Sequence, residues 1–279
     1  MKALPAVRTF AQASCIALSV ALIPGHVFAQ AQPAPAAPAS SSNYTPEVGQ
    51  QGKDVVWVPT AQALVDRMLD MAKVTPSDIL VDLGSGDGRT VITAAKRGLN
   101  ARGVEYNPDM VALSRANAAK EGVGGKANFI QGDIFETNFS DATVVTLFLL
   151  PQLNLRLRPI ILDMKPGTRV VSNSFDMGDW QADQRAEAGS TECTSYCRAF
   201  LWIVPAKVEG SWKMPDGQLT LKQTFQNLTG TMTAKGSSSE ISNAKMNGDA
   251  ITFTAGGKNY TGKVEGNSIK GEGWSATRG

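Results

Sequence analysis

The sequence predicts an α/β region followed by a small antiparallel all-β domain, either a barrel or a sandwich. Between residue 60 and about residue 205, short β-rich runs alternate with stretches of helical periodicity. From residue 208 onward the composition shifts to Gly, Thr, Ser, Asn and Lys, and apolar and polar positions alternate. Four regions are expected: 1–29, 30–53, 54–206 and 207–279.

The N-terminal region is typical of an export signal. Lys2 and Arg8 precede an uncharged, mostly apolar run, and Val27–Ala29 is a suitable cleavage site. A transmembrane anchor is the alternative, but Pro24–His26 interrupts the run before it reaches the ~20 residues that a span needs. We therefore expect residues 1–29 to be removed, which predicts a periplasmic or secreted protein without a membrane span.

Removal of this segment changes the chemistry that the chain offers. The only histidine, His26, is lost, and the 27 basic residues fall to 25, equal to the 25 acidic residues. A neutral chain has no general attraction to nucleic acid or to an anionic membrane, so we expect no nucleic-acid partner. Cys193 and Cys197 are the remaining cysteines. They are expected to be disulfide-bonded if the protein is exported, and no metal site is expected.

Residues 30–53 are expected to form a disordered tether. They consist largely of Ala, Pro, Gln and Ser and have almost no large apolar side chain. Such a segment cannot bury enough surface to offset the entropy lost on ordering.

The α/β region begins with a helix and continues as alternating strands and helices. The first helix is predicted over 60–73, with Leu64, Met68 and Met71 on one stripe and Thr60 as a candidate cap. Strands are predicted at 78–84, 101–106, 126–133, 142–150 and 168–174. Further helices are predicted near 88–98, after Pro108, and over 151–164. Apolar strands separated by amphipathic helices indicate a parallel sheet that is covered on both faces.

The rest of the chain is predicted to be antiparallel. A hairpin is expected over 181–206, with both cysteines at or beside its turn. Beyond it, seven or so short strands separated by DG, NG and GG turns describe a meander. This β-rich tail has no clustered acids, histidines or cysteines. It is interpreted as a packing or interaction module, and a partner or ligand for it is left open.

A glycine-rich turn, VDLGSGDGRT, follows the first predicted strand. Its glycines lie where the chain must turn sharply and let a ligand approach the backbone. A dinucleotide site would need a small residue where Arg89 stands, and no G-K-[ST] follows for a Walker loop. The pattern D-x-G-x-G-x-G from Asp82 is that of enzymes using S-adenosylmethionine (SAM), whose ligand has a charged amino-acid end instead of a pyrophosphate.

Two later acids complete an adenosyl site. Glu105 closes the second strand, where its carboxylate can accept hydrogen bonds from ribose hydroxyls. Asp133 follows the third strand, in position to accept from an adenine amino group, with Ile134 beside the ring. Together with Asp82, these acids stand in register at three successive strand ends, which favours one common site.

These motifs identify a family resemblance. The segments VDLGSGDGRTVITAAKRG, GVEYNPDMVALSRANA and QGDIFE resemble a class I SAM-dependent methyltransferase. The likeness extends over residues 55–180 and is strongest to the seven-strand group of Dot1-like and ATP synthase c-subunit lysine N-methyltransferases. VWVPT (56–60) resembles that family's cofactor-lining segment, and FLLPQLN (148–154) resembles its motif after the fourth strand. A hairpin after the last parallel strand is also typical of methyltransferase sheets.

The resemblance implies a Rossmann-like seven-strand sheet, SAM as the cofactor and a protein-lysine methyl acceptor. With the strand-end reasoning above, the expected SAM contacts are Pro59, Thr60, Asp82, Gly84, Ser85, Gly86, Glu105, Asp133 and Ile134. Pro151 and Gln152 are implied nearest the transferred methyl. Positioning and desolvation can accelerate methyl transfer without a dedicated base, which is compatible with a mature chain that has no histidine.

Other residues are predicted near the acceptor. An apolar pocket of Leu149, Leu150 and Pro151, with Trp57 or Phe175 nearby, would lower the pKa of an incoming amine. In the loop after the fifth strand, Asp176 and Trp180 are interpreted either as substrate contacts or as a surface loop.

Three functional interpretations remain open. The first is a SAM-dependent methyltransferase that acts on protein lysine. The second is an exported SAM-binding protein that kept the fold without catalysis, an alternative favoured by export away from the compartment where SAM is made. The third assigns the function to the β-rich tail, with the α/β region as a scaffold.

Overall fold

The computed structural model describes residues 44–189 and 191–279, and the predicted export signal lies outside these residues. The described residues belong to one compact unit that contains two β-sheets. None of the helices in this part of the chain is long and apolar enough to cross a membrane.

The first sheet has seven strands and is accompanied by four helices. Its strands are β1 (Ile79–Leu83), β2 (Asn100–Glu105), β3 (Ala127–Gln131), β4 (Val144–Leu147), β5 (Arg169–Asn173), β6 (Gln184–Glu187) and β7 (Arg198–Ile203). The helices are α1 (Gln62–Met71), α2 (Arg89–Lys96), α3 (Pro108–Lys120) and α4 (Pro151–Leu162). The strand order is β3-β2-β1-β4-β5-β7-β6. Strands β1 to β5 are parallel, whereas β7 is antiparallel to β5 and to β6, which confirms the predicted Rossmann-like sheet and hairpin.

The sheet is buried between two apolar layers. Alternate residues of a strand face opposite sides, so Leu80 of β1 belongs to the layer with α1, α2 and α3. Its neighbours Val81 and Leu83 belong to the layer with α4. Because both faces are covered, a ligand reaches the sheet only at the strand ends, where parallel α/β folds bind their ligands.

The first helix begins differently from the prediction. Ala61 is the residue before α1 and makes no side-chain cap, so Thr60 does not cap the helix. Instead, Asn173 Nδ2 donates to Thr60 Oγ1 (3.2 Å). Thr60 therefore joins the segment before α1 to the end of β5.

The segment before α1 also differs from the prediction of a tether over 30–53. Residues 44–58, here called the strap, turn back on themselves: Gly49 N donates to Trp57 O (2.8 Å) and Trp57 N donates to Gln50 O (2.9 Å). Lys53 pairs with Asp133 after β3. The described part of the predicted tether, 44–53, is thus a largely exposed turn whose last residue, Lys53, joins it to the sheet edge.

The second sheet is a closed barrel, not a sandwich. Its strands are β8 (Gly210–Met214), β9 (Gly217–Thr224), β10 (Asn227–Ala234), β11 (Ser237–Glu240), β12 (Ser242–Asn247), β13 (Ala250–Ala255), β14 (Lys258–Glu265), β15 (Ser268–Gly271) and β16 (Trp274–Arg278). Antiparallel pairing follows the order β10-β12-β13-β14-β15-β16-β8-β9 and returns from β9 to β10, so eight strands close, while β11 pairs with β10 beside β12. The interior holds fully buried side chains such as Trp212, Leu219 and Ile251.

The barrel packs against the α/β part through the turn between β9 and β10. The Phe225 ring stacks on Trp180 with a centroid separation of 5.9 Å. Beside it, Gln226 Nε2 donates to Gln181 O (2.8 Å), and Lys245 Nζ lies 3.0 Å from Asp183 Oδ1. Trp180 has no exposed surface. It is part of the contact between the barrel and the α/β part, and it is not available as a substrate contact.

Candidate active site

A cavity opens at the carboxyl ends of the central parallel strands. It brings together all nine residues expected to contact SAM: Pro59, Thr60, Asp82, Gly84, Ser85, Gly86, Glu105, Asp133 and Ile134. Other lining residues come from the strap, from the segment after β2 and from the segment after β4. The sheet topology explains this assembly, because β1, β2, β3 and β4 all end at the same edge.

The glycine turn between β1 and α2 packs against Trp57 of the strap. Gly86 has a φ of 54°, in the left-handed region that favours glycine. A Cβ at this position would lie 2.6 Å from Trp57 Nε1, so no side chain fits between the turn and the indole. The Ser85 hydroxyl is buried against Gly103 of β2 and has no hydrogen-bond partner among the described residues.

Glu105 connects the glycine turn to the end of β2. Its Oε2 accepts from Gly86 N and its Oε1 from Asn107 N, both at 2.9 Å. These two bonds hold the carboxylate at the cavity and leave further lone pairs that can accept from a diol.

Asp82 is a buried carboxyl group in the cavity wall. Its side chain accepts a hydrogen bond from Thr146 Oγ1 at 2.6 Å. Burial raises the pKa of Asp82 to about 7, and the negative charges of Glu105 and Asp87 act in the same direction, while the bond from Thr146 opposes them. A cation brought to Asp82 would favour its ionised form, so this residue suits the ammonium group of an amino acid.

Asp133 is paired with the strap in this structure. The Lys53 ammonium hydrogen-bonds to Asp133 and lies 4.9 Å from the centroid of the Tyr106 ring. The bond from Lys53 lowers the pKa of Asp133, and Asp133 in turn raises the pKa of Lys53. Phe135 N also donates to Asp133 Oδ1 (2.8 Å). An N–H donor from the chain therefore lies where the sequence predicts the adenine amino group.

Pro151 and Gln152 differ from their predicted position. They are the first residues of α4, both are exposed, and neither lines the cavity. Leu149 before them and Leu153 after them line it instead. The helix starts at Pro151, and its first turn directs these two side chains outward, so the apolar pocket is built from the leucines on either side.

Three aromatic rings pack together beside the cavity on the β4 side. Phe148 lines the cavity and packs against Phe175, with a centroid separation of 6.3 Å, and against Tyr196, at 5.3 Å. Phe175 and Tyr196 are 6.0 Å apart. We call Phe148, Phe175 and Tyr196 the aromatic wall. Tyr196 belongs to the loop that the Cys193–Cys197 disulfide closes.

The residues of the cavity fit SAM. Carboxylates lie at the ends of β1 and β2 and just beyond β3. The ammonium group, the ribose diol and the adenine amino group of SAM each need such an acceptor.

Within 44–189 and 191–279, no group of three or more Asp, Glu, Cys or His side chains could hold a metal ion.

Sequence reasoning misses several lining or neighbouring residues. Lys53 falls in the predicted tether, and Tyr106 enters the prediction only as part of a motif. Phe148 is likewise seen only within a motif, although its position directly after a parallel strand is a usable signal. Tyr196 has no such signal, because its place depends on the hairpin between β6 and β7.

Known proteins resemble this chain in the same region. Residues 82–184 match the family model described as the ANTKMT methyltransferase domain. A protein-lysine N-methyltransferase of Saccharolobus islandicus (strain REY15A) is 45% identical over 147 residues, which cover 51% of this chain and 91% of that protein. The human ATP synthase c-subunit lysine N-methyltransferase is 35% identical over 141 residues, which cover 50% of this chain and 60% of that protein.

A solved structure is also similar to this chain. It is an RNA methyltransferase from Salinibacter ruber in complex with S-adenosyl-L-homocysteine, 45% identical, with a TM-score of 0.51. The likeness covers 54% of this chain and 96% of that chain. Because the Saccharolobus islandicus lysine methyltransferase is matched over most of its length and the expected cofactor residues meet in one cavity, this chain belongs to the SAM-dependent protein-lysine N-methyltransferase family.

Proposed function

We propose that this protein transfers a methyl group from SAM to the side-chain amine of a lysine in a cell-envelope protein. One observation carries the proposal: the acidic cofactor side of the cavity, at β1 to β3, faces an apolar and aromatic side at β4. The first side suits a charged cofactor, and the second suits an amine that has lost its proton.

The acidic side would hold the cofactor through three contacts. Asp82 would pair with the ammonium group, Glu105 would accept from the ribose hydroxyls, and Asp133 would accept from the adenine amino group. Lys53 would compete with the adenine amino group for Asp133, because it already donates a hydrogen bond to this carboxylate. Bound SAM supplies an electrophilic methyl group on a sulfonium.

The apolar side would receive the acceptor. Leu149 and Leu153 are buried in the cavity wall, and Phe148 lies beside them. Apolar surroundings disfavour an ammonium, so an amine that enters here loses its proton more readily. With its lone pair free and water excluded, the amine needs orientation but no general base. None of the described residues is a histidine, in keeping with that requirement.

Export is the second part of the proposal. The N-terminal signal pattern and the disulfide between Cys193 and Cys197 both suit a periplasmic or secreted protein. Because SAM is made in the cytoplasm, a protein that binds SAM without transferring a methyl group is the alternative that the same features favour.

An RNA acceptor is the competing substrate class. The Salinibacter ruber structure is described as an RNA methyltransferase and is 45% identical to this chain. The charge of the exported chain argues against RNA. Its basic and acidic residues are equal in number, whereas sequence-independent RNA binding depends on excess positive charge. Both acceptor classes therefore belong in the same assay.

Calorimetric titration with SAM, followed by incubation with methyl-labelled SAM, tests the proposal. The acceptors are an envelope protein fraction and, separately, total RNA. We expect SAM binding and label in protein only. At a SAM concentration near the wild-type dissociation constant, Glu105→Ala should transfer much less label, whereas Glu121→Ala, which removes a surface carboxylate paired with Lys96, should transfer as much as the wild type. Binding without transfer would support the non-catalytic alternative, label in RNA would change the substrate class, and absence of SAM binding would contradict the whole proposal.

A further inference from the structure

The aromatic wall is assembled from three separate connections of the sheet. Phe148 directly follows β4, Phe175 follows β5 by two residues, and Tyr196 precedes β7 by two residues. In the register of the sheet, Asn173 of β5 pairs with Ala199 of β7, so the loop before β7 meets the loop after β5 at the same edge. That edge is the one at which the cavity opens.

Two of the rings have dedicated supports. Asn154, fully buried in α4, donates from Nδ2 to Phe175 O (3.2 Å) and to Asp176 O (3.1 Å), which fixes the loop carrying Phe175. Tyr196 is held in the turn closed by Cys193 and Cys197. Neither Asn154 nor the disulfide forms a side-chain hydrogen bond to a residue that is expected to contact SAM.

Tyr196 has a conformation and an exposure that require an explanation. Its φ is 56°, in the left-handed region, where a residue other than glycine costs about 1 to 3 kcal/mol. Tyr196 is also 46% exposed. The Tyr196 ring packs against Phe148 and Phe175 while the residue stays almost half exposed, so aromatic surface beside the cavity is available to a ligand.

We propose that Tyr196 determines which acceptor enters the site, by offering its ring to an alkylammonium group. This inference rests on the proposed function and adds the acceptor's recognition element. The group recognised is the lysine ammonium and its methylated forms, which aromatic faces attract through cation–π interactions. Phe148 lines the cavity and packs against both Phe175 and Tyr196, so it connects this surface to the cavity. Asp176, next to Phe175, has no ion-pair partner among the described residues.

The position of the wall supports this role. The cofactor's adenosyl contacts are assigned to the β2 and β3 side, so the acceptor must approach from the β4 and β5 side, where the wall stands. An amine that passes over the rings keeps its charge stabilised until it reaches Leu149 and Leu153, where the apolar wall favours loss of the proton.

Choline is a suitable probe for this surface, because its trimethylammonium group resembles fully methylated lysine. In an NMR titration of the full protein with S-adenosylhomocysteine present, ring currents should shift the choline methyl protons upfield. The uncharged carbon isostere of choline, in which a carbon atom replaces the nitrogen, should bind more weakly. We expect Tyr196→Ala to weaken choline binding by about threefold to tenfold, and Tyr196→Phe to retain it.

Two further variants separate the ring from its support. The double variant Cys193→Ser and Cys197→Ser should weaken choline binding as Tyr196→Ala does, because the turn is no longer closed. Arg198→Ala, which removes an exposed partner of Glu187 in the same hairpin, should leave choline binding unchanged. Affinity for S-adenosylhomocysteine should stay the same in all of these variants, which excludes general misfolding.

Methyl transfer to the envelope fraction completes the test. With Tyr196→Ala, we expect the KM for protein acceptor to rise while the affinity for SAM is kept. If Tyr196→Ala binds choline and methylates protein as the wild type does, or if choline and its carbon isostere bind equally, the inference is wrong while the proposed function stands. If the wild type binds choline through Tyr196 but labels no protein, the proposed function is wrong and the alkylammonium site remains.

Discussion

SAM binding is expected to weaken as the pH falls below neutrality, because Asp82 must be ionised to accept the cofactor's ammonium group. Burial raises the pKa of this carboxyl to about 7 in the cofactor-free protein. Below that pH, Asp82 is mostly protonated, and its proton must be released before the cation binds. The apparent affinity therefore increases with pH up to about 7 and then levels off.

The size of the effect follows from the pKa. If the bound state contains only ionised Asp82, the affinity falls about fivefold between pH 7 and pH 6, and about ninefold between pH 6 and pH 5. At pH 7 about half a proton per protein should be released on binding. Asp133 contributes little in this range, because the hydrogen bond from Lys53 lowers the pKa of its carboxyl below the ordinary value.

Isothermal titration calorimetry measures both quantities. Dissociation constants between pH 5 and pH 7 give the pH dependence, and two buffers with different ionisation enthalpies give the number of protons released. The matched variant Asp82→Asn should bind SAM weakly at every pH and release no proton. Equal wild-type affinities at pH 5 and pH 7 would refute the pairing of Asp82 with the ammonium group.

Other substitutions test the remaining contacts. Glu105→Ala should weaken SAM binding by about 1.5 to 3 kcal/mol in calorimetry, the scale of hydrogen bonds to a charged group; an unchanged affinity would mean that the ribose site is misplaced. Lys53→Gln should strengthen SAM binding by about threefold, since the strap no longer competes for the adenine-side carboxylate, and a weaker affinity would show instead that Lys53 contacts the cofactor. Phe225→Ala should lower the free energy of unfolding by about 2 kcal/mol in chemical denaturation, and no loss of stability would mean that the barrel does not support the α/β part. Protein purified from the native host should have no free thiol at Cys193 or Cys197 and should begin after the predicted cleavage site; two free thiols on an uncut chain would argue against export.

The cofactor side was predictable because its signals are local. Each acid follows directly from its own strand, as Glu105 and Asp133 illustrate, and parallel topology brings those strand ends to one edge. The glycine turn is likewise specified by neighbouring residues. No knowledge of distant contacts is needed to expect these groups in one cavity.

The strap was not predictable from composition. Residues 44–53 have few apolar side chains, which favours a tether, and their order comes from contacts such as Lys53 with Asp133, 80 residues away. Trp180 is a similar case, because the residue that covers it, Phe225, lies in a different sheet. Local periodicity contains no information on such pairs.

The acceptor side depended on details of orientation. The motif after β4 predicts Pro151 and Gln152 nearest the transferred methyl group. Both residues are exposed, because α4 begins at Pro151 and its first turn directs their side chains outward. Tyr196 enters the wall only through the hairpin turn and its left-handed backbone. A motif specifies which segment reaches the site, whereas the backbone conformation determines which side chains face it.

The position of the transferred methyl group tests the central claim most directly. The purified wild-type protein is incubated with envelope protein and methyl-labelled SAM. The labelled protein is then hydrolysed to amino acids, and the labelled amino acid is identified by chromatography and mass spectrometry. Our account predicts label in Nε-methylated lysine, and much less of it when Glu105→Ala replaces the wild type at a SAM concentration near the wild-type dissociation constant. Label in another amino acid, or label in lysine that is unaffected by Glu105→Ala, would contradict it.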